Sequence, residues 1–179
     1  MNILINNKEV DFSENDFPVL IHGYPKTGAS YFSVCLSANL LNNNRSILFF
    51  SAYSAAKEEL RKEINNDKNN AVIIDSGEEN VLIETLKNTP DIHERIVLIK
   101  NIENYSHKLF EAVKDLNLIV FSGNLDKCVF ANELIKRGVA TKIFFSQSKT
   151  FPQKELENLE KYTAKIFSDK YSGIVSLDK

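Results

Sequence analysis

Short apolar runs recur along the chain, and stretches with helical periodicity separate them. The runs do not alternate with polar residues, which predicts strands that are buried on both faces of a sheet. Strands that alternate with helices predict parallel βαβ units. The expected fold class is therefore α/β, a three-layer sandwich with a mostly parallel central sheet. The predicted core strands are Val19–Ile21, Ile47–Phe50, Ala71–Asp75, Ile96–Ile99, Leu118–Phe121 and Ile143–Phe145.

The two ends of the chain are expected to extend and cover this sheet. Residues 1–16 predict a hairpin or an edge strand. Thr150 and Pro152 are expected to open a final helix, and Ile174–Leu177 is expected to add a last strand. No linker, repeat or low-complexity segment interrupts the 179 residues, so a single domain is predicted.

The expected inward residues of the final helix are Leu156, Leu159, Tyr162 and Ile166. The other expected elements are helices at Tyr31–Leu41 and Ala55–Ile64, a helix from a capping box of Ser76 and Glu79 to about Lys87, a helix carrying Leu109 to Leu116, a helix from Asp126 to Gly138, and a polar loop at Asn65–Asn70.

The segment Pro18–Leu41 predicts a strand, a glycine loop and a helix, and it carries a damaged phosphate-binding motif. The template is G-x-x-x-x-G-K-[ST]. Gly23, Gly28 and Ser30 match it, but Ala29 stands at the lysine position. The backbone N–H groups of such a loop, together with the positive end of the helix, can bind an anion without any side chain. Anion binding is therefore expected even though the motif is incomplete.

The missing lysine changes the expected chemistry of the loop. Ala29 cannot reach a β- or γ-phosphate, and the nearby cation is Lys26, inside the loop. Ser30 could still offer its hydroxyl to a magnesium ion bound to the nucleotide. ATP hydrolysis is therefore expected to be weak or absent. The candidate ligand-binding residues of the loop are Gly23, Lys26, Thr27, Gly28, Ala29 and Ser30.

Hydrolysis would also need an acid that positions magnesium and a group that polarises water. Asp75 ends a predicted strand and fits the first role, with Glu78 or Glu79 close behind it. Asp75 and Glu79 are therefore the candidate catalytic residues, and Ser30 and Asp75 are the candidate metal ligands. The alternative is that Asp75 and Ser76 only begin a helix, because carboxylates are common helix caps.

The next predicted strand, Ile96–Ile99, ends in Lys100 and Asn101 instead of an acid. If this strand has the Walker B role, Lys100 would repel magnesium but could meet a phosphate. Asn101 or Glu103 could then contact a water molecule. The alternative is that these are ordinary loop residues, so the sequence leaves open which strand carries the Walker B role. Lys100 and Asn101 join the candidate ligand-binding residues.

The loop Gly23–Ser30 and the order of the elements resemble the P-loop NTPase superfamily. Ala38–Leu41 and Ser46–Ala52 are similar to the first helix and second strand of RecA-like ATPases. This resemblance implies a RecA-like sandwich in which Gly23–Ser30 binds the phosphates of ATP or ADP. Ala29 and the missing Walker B acid imply a degenerate member, one that binds without hydrolysing or that serves as a structural subunit of an assembly.

The same loop also resembles the phosphosulfate loop of the sulfotransferases, which reads Tyr-Pro-Lys-Ser-Gly-Thr before a small and an aromatic residue. Tyr24–Tyr31 follows this pattern. The resemblance implies that Lys26 contacts the 5′-phosphosulfate of 3′-phosphoadenosine 5′-phosphosulfate. The second motif of that family is a strand ending in Arg-Asn-Pro, followed by a serine. This motif is only partly matched by Lys100, Asn101 and Ser106, because the arginine and the proline are missing.

Composition narrows these functions only slightly. A hydrophobic fraction of 43% is ample for a core, and a net charge of −2 argues against binding of nucleic acid by bulk electrostatics alone. No apolar run reaches the roughly 20 residues of a membrane span, and the first residues lack the features of a signal peptide. The distant pair Cys35 and Cys128 favours a reducing, cytoplasmic setting.

Three functions remain in order of preference. The first is a nucleotide-binding protein with weak or no hydrolysis that acts as a regulatory or assembly subunit. The second is a pseudo-ATPase adaptor whose loop is a relic, and the third is a sulfotransferase-like enzyme. The expected ligand is ATP or ADP, and the need for Mg²⁺ is left open. Protein partners or a homo-oligomer are expected, and a nucleic-acid partner is also left open.

Overall fold

One sheet runs through the whole of the described structure. The computed structural model describes residues 3–64, 70–157, 159 and 162–177. Within these residues ten strands are hydrogen-bonded in the order β2-β1-β10-β9-β8-β3-β7-β6-β4-β5. The strands are β1 (Ile3–Ile5), β2 (Lys8–Glu9), β3 (Val19–His22), β4 (Ile47–Ser51), β5 (Ala71–Ile73), β6 (Ile96–Lys100), β7 (Ile119–Gly123), β8 (Thr141–Phe144), β9 (Ala164–Ser168) and β10 (Ser172–Leu177). The α-helices are α1 (Ala29–Asn42), α2 (Ser54–Glu63), α3 (Glu79–Asn88), α4 (His107–Val113) and α5 (Ala131–Arg137).

The six strands from β8 to β5 are parallel, and helices cover both of their faces. Successive residues of one strand belong to opposite layers of the core, because side chains alternate across a sheet. Ile47 and Phe49 pack in the layer that contains α1 and α2, and Leu48 and Phe50 pack in the layer that contains α3, α4 and α5. The apolar runs are uninterrupted because both faces of these strands are buried. The predicted α/β fold class is confirmed.

The C-terminal part of the chain differs from the predicted helix. Thr150 and Pro152 are followed by a single 3-10 turn at Lys154–Leu156, and the chain then enters β9. Antiparallel β9 and β10 extend the sheet beside β8. Buried Ala164 and Ile166 are two residues apart, which is the spacing of a strand face. Leu156 and Ile166 are buried as expected and Leu159 packs partly, but Tyr162 is 62% exposed.

Two predicted helix starts are wrong for the same physical reason. Asp126 lies in a 3-10 turn, and α5 begins five residues later. Glu79 begins α3 behind the N-cap Glu78, and its carboxylate accepts hydrogen bonds from the backbone and hydroxyl of Ser106, both 2.9 Å long. In each case the carboxylate binds a distant segment and leaves its own helix uncapped.

The remaining differences are shifts of boundaries. The second strand of the N-terminal hairpin is Lys8–Glu9, and strand β5 ends at Ile73, before Asp75. The predicted loop Asn65–Asn70 falls mainly on residues 65–69, which lie outside the described residues. None of these shifts changes the position of the loop after β3.

Candidate functional site

The glycine loop joins β3 to α1 as a tight turn. Lys26 and Gly28 both have positive φ angles, of 69° and 106°. A Cβ atom on Gly23 would lie 2.5 Å from Thr27 Oγ1 and 2.6 Å from Ala29 Cβ, so only glycine permits this close approach. Thr27 Oγ1 donates a 2.8 Å hydrogen bond to the carbonyl of Tyr24, which closes the turn. The sequence of the loop therefore specifies its shape through both glycines.

The loop presents its amides to a cavity of about 470 Å³. Gly28, Ala29 and Ser30 line this cavity. Within the described residues, their backbone N–H groups donate no hydrogen bond. The first hydrogen bond of α1 runs from the amide of Phe32 to the carbonyl of Gly28. The positive end of a 14-residue helix is thus directed at the cavity. This arrangement can bind an anion the size of a phosphate.

The fold is shared with several solved structures. The flagellar accessory protein FlaH from Methanocaldococcus jannaschii superposes with a TM-score of 0.52 at 15% identity, over 89% of each chain. The pCW3 conjugation coupling protein TcpA, in its monomer form with ATPγS, gives a TM-score of 0.56 at 11% identity, over 97% of this chain and 64% of that one. A third structure, an isolated ATPase domain, gives 0.50 at 14% identity, over 91% of this chain and 81% of that one.

This is the fold of the RecA-like P-loop ATPases. At such identities the likeness establishes the fold alone. No family model matches the sequence, and the search of curated proteins finds no match. The predicted P-loop NTPase fold is confirmed, and the loop Gly23–Ser30 occupies the P-loop position after the central strand β3.

The strand that faces the P-loop serine ends in a lysine. Lys100 closes β6, and its Nζ donates to the hydroxyl of Ser30 at 2.7 Å and to the carbonyl of Ser30 at 2.8 Å. Lys100 is only 1% exposed although it lines the cavity. Burial lowers its pKa to about 8, and Glu59 on α2 opposes part of that effect. A buried ammonium therefore contacts the serine whose hydroxyl holds magnesium in the P-loop template.

The two predicted catalytic acids lie away from the P-loop. Asp75 follows β5 at the edge of the sheet, separated from β3 by β4, β6 and β7. Its side chain is 82% exposed and forms an ion pair with Arg61. This contact lowers the pKa of Asp75, and the carboxylate of Glu79 is bound to Ser106. Neither acid lines the cavity, so the structure does not bring them to Ser30.

A magnesium ion does not fit the described residues around Ser30. The Ser30 hydroxyl, which would be the ligand in the template, already accepts a hydrogen bond from the Lys100 ammonium. Glu103 is the only carboxylate among the described residues that line the cavity, and its Oε2 accepts the amide of Asn124 at 2.9 Å. No cluster of three potential metal ligands occurs in the part of the chain that the structure describes.

The cavity is also lined by residues outside the P-loop and β6. Tyr53 follows β4, while Ser122 and Gly123 end β7, next to the P-loop strand. Tyr162 reaches the cavity from the segment that was predicted to be a helix. The carboxyl ends of parallel strands share one edge of a sheet, and the sequence places residues 51–54 and 122–124 at two of these ends, so it indicates Tyr53, Ser122 and Gly123. Nothing in the sequence pattern indicates Tyr162. Of the predicted site residues, Gly23, Lys26, Gly28, Ala29, Ser30, Lys100 and Asn101 line the cavity, whereas Thr27 lies behind the turn.

Asp126 anchors the P-loop from outside the cavity. Its carboxylate accepts hydrogen bonds from Tyr24 Oη at 2.6 Å, from Ser148 Oγ at 2.7 Å and from the amide of Thr150 at 3.0 Å. Burial alone would raise the pKa of Asp126, but these hydrogen bonds outweigh it and hold that pKa well below the usual range. The same contact raises the pKa of Tyr24 to about 12. A loop tyrosine is thereby fixed to a partly buried ionic acceptor.

His22, at the end of β3, is a structural residue. Its Nδ1 accepts the amide of Leu125 at 3.0 Å, so Nε2 carries the proton and donates to the carbonyl of Gln147 at 3.1 Å. Burial lowers its pKa, which keeps the ring neutral. His22 thus connects the loops that follow β7 and β8 by hydrogen bonds.

No helix of the described residues is long and apolar enough to cross a membrane.

Proposed function

We propose that the protein binds a nucleotide through the loop Gly23–Ser30 and hydrolyses it weakly or not at all. The observation that carries this proposal is the set of unbonded amides at Gly28, Ala29 and Ser30, which face a cavity of about 470 Å³ at the positive end of α1. Lys26 and Lys100 line the same cavity and add positive charge. Tyr53 and Tyr162 add aromatic surface on which a nucleobase can stack.

The residues around the loop support binding more strongly than hydrolysis. Ala29 leaves the loop without the lysine that reaches the β- and γ-phosphates, and Lys100 replaces the acid that would position a metal. Asp75 and Glu79 are held at Arg61 and Ser106. A nucleotide in this cavity would therefore act as a structural or regulatory ligand.

Calorimetric titration with ATP and ADP tests the proposal directly. We expect saturable binding, and we expect Gly28→Val to abolish it because a branched side chain at φ 106° would displace the loop. Gly138→Val is the matched control, since Gly138 also has a positive φ of 83° but nothing lies within 4 Å of its added Cβ. The absence of binding to the folded wild-type protein at millimolar nucleotide would refute the proposal and favour the pseudo-ATPase adaptor.

One further titration distinguishes the sulfotransferase alternative from the nucleotide-binding proposal. That alternative predicts tight binding of 3′-phosphoadenosine 5′-phosphate, which is lost in Lys26→Ala. The nucleotide proposal predicts no preference for the 3′-phosphate, because the amide cradle recognises only the phosphates attached to the 5′-oxygen. A clear preference for the 3′-phosphorylated ligand would reverse the order of the two functions.

We further propose a regulatory or assembly role for the nucleotide-bound protein in a reducing, cytoplasmic setting. Cys35 and Cys128 are both buried and free, which suits such a setting. Light scattering and cross-linking with and without ADP would reveal a homo-oligomer that depends on nucleotide. Capture from the native cell would identify protein or nucleic-acid partners, and a mass unchanged by nucleotide would remove the homo-oligomer from the proposal.

A further inference from the structure

We infer that this site takes a nucleoside polyphosphate free of divalent metal, with the Lys100 ammonium as the resident cation for its phosphates. The inference rests on the proposed function, and it goes further by naming the form of the ligand. Its geometric basis is the pair of hydrogen bonds from Lys100 Nζ to the P-loop residue Ser30.

The position of the ammonium excludes a metal from its usual place. In the P-loop template, the serine hydroxyl and a strand-end acid hold magnesium between them. Here the Ser30 hydroxyl is 2.7 Å from Lys100 Nζ. A divalent cation bound to the same hydroxyl would lie within a few ångströms of a positive charge, in a buried setting where repulsion is screened weakly. The remaining carboxylate of the cavity, Glu103, is bound to the amide of Asn124.

The ammonium also lacks an ionic partner that would explain its burial. Both of its hydrogen-bond acceptors are neutral oxygens of Ser30, and no ion pair of Lys100 occurs among the described residues. A buried charge without a counter-charge is unfavourable. The groups that act on Lys100 electrostatically are Glu59 on α2 and Cys35 on α1. Neither forms a hydrogen bond with the ammonium, so an anionic ligand in the cavity would supply the missing compensation.

The charge of the cavity points to the same ligand class. Lys26 and Lys100 face one carboxylate, Glu103, across a space that the amides of Gly28, Ala29 and Ser30 also line. The cation that would normally accompany the phosphates is thus already part of the chain. Metal chelated to the ligand would bring extra positive charge to a cavity whose one lining carboxylate among the described residues, Glu103, already accepts the amide of Asn124.

The test is titration of the wild-type protein with ADP in excess EDTA and again in excess Mg²⁺. We expect binding in EDTA that is at least as tight as in Mg²⁺. Binding that requires Mg²⁺ would overturn this inference and leave the nucleotide proposal standing. Absence of binding in both buffers would refute the nucleotide proposal itself, and with it the inference, so the two failures are distinguishable.

Substitution of the lysine provides a second, independent readout. Lys100→Met keeps the length of the buried chain and removes the charge. We expect it to weaken ADP binding in EDTA by roughly 10-fold or more, as is typical when a charged hydrogen-bond partner is lost. The exposed Lys62→Met on α2 is the matched control and should bind like wild type. Unchanged affinity in Lys100→Met would overturn the inference, and if that variant does not fold, the metal dependence of the wild type decides alone.

A conversion variant tests the same claim from the opposite direction. Ala29→Lys combined with Lys100→Asp restores both the loop lysine and the strand-end acid of the template. We expect ADP binding by this variant to become tighter when Mg²⁺ replaces EDTA, a dependence that the wild type lacks. A folded double variant that remains indifferent to Mg²⁺ would contradict the role assigned to Lys100.

Discussion

Replacement of Lys100 by methionine should stabilise the fold even though it removes the cation that we propose for the phosphates of the ligand. The pKa of Lys100 falls from 10.5 to about 8 on burial. At about 1.4 kcal/mol for each pKa unit, the folded protein carries a charge that costs ~3 kcal/mol at neutral pH. Loss of the hydrogen bonds to Ser30 offsets part of this gain, at about 1 kcal/mol each. A net stabilisation of about 1 to 2 kcal/mol is therefore expected.

The effect has a definite pH dependence. Between the folded pKa near 8 and the unfolded value of 10.5, the unfolded wild type binds a proton that the native state has lost. Wild-type stability therefore rises with pH in this window, whereas the methionine variant gains nothing from this group. The difference between the two proteins should shrink by about 2 kcal/mol between pH 7 and pH 9.5.

Urea denaturation at these two pH values measures both quantities. Lys62→Met is the control for loss of an exposed lysine and should stay within about 0.5 kcal/mol of wild type. A Lys100→Met variant less stable than wild type at pH 7 would refute the reasoning. A difference that does not change with pH would show that the burial of the charge is not its source.

Three further changes test the frame around the cavity. Tyr24→Phe removes the donor to Asp126, so we expect faster hydrogen exchange in the P-loop and weaker ADP binding, with the global fold unchanged. Asp126→Asn should lower stability at pH 7 by about 1–3 kcal/mol. The pKa of Asp126 is lowered in the fold, so the wild type should keep its higher stability at pH 7 and lose it as acid protonates the carboxylate. Urea denaturation of both proteins at pH 7 and below pH 4 would show the difference in their stability decreasing. Gly123→Ala would place its Cβ against Glu103 Oε2 and 2.8 Å from the amide of Ile102, so we expect a loss of about 2 kcal/mol or more in thermal unfolding, whereas Gly138→Ala should cost less than half of that.

The parallel half of the sheet was predictable because its signals are local. Runs such as Ile47–Phe50 are apolar at every position, which only a strand between two covered faces requires. The C-terminal antiparallel half was not predictable in this way. Leu156, Leu159, Tyr162 and Ile166 have helical spacing, but Ala164–Ser168 forms a strand because β8 offers it an edge to pair with. That pairing is a tertiary contact, and it overrides the local pattern.

The site was predictable in its loop but not in its acids. Gly23 and Gly28 are needed for the shape of the turn, and with Ser30 they form the motif, so the motif was enough to locate the cavity. The choice between Asp75 and Lys100 depended on strand order, because both follow an apolar run. Only the position of β5 at the edge shows that Asp75 is remote from the P-loop. Asp126 and Glu79 resembled helix caps, and their long-range partners could not be read from spacing.

The two departures from the P-loop template become consistent when they are considered together. With Asp at position 100 and no metal, a carboxylate would repel the phosphates. With Lys100 and a metal, two cations would compete for the hydroxyl of Ser30. A lysine at position 29 would add a third cation to a cavity that Lys26 and Lys100 already line, so Ala29 removes a repulsion as well as a ligand. Each substitution is unfavourable alone, and the pair gives the proposed anion site one buried cation and no acid free to bind a metal.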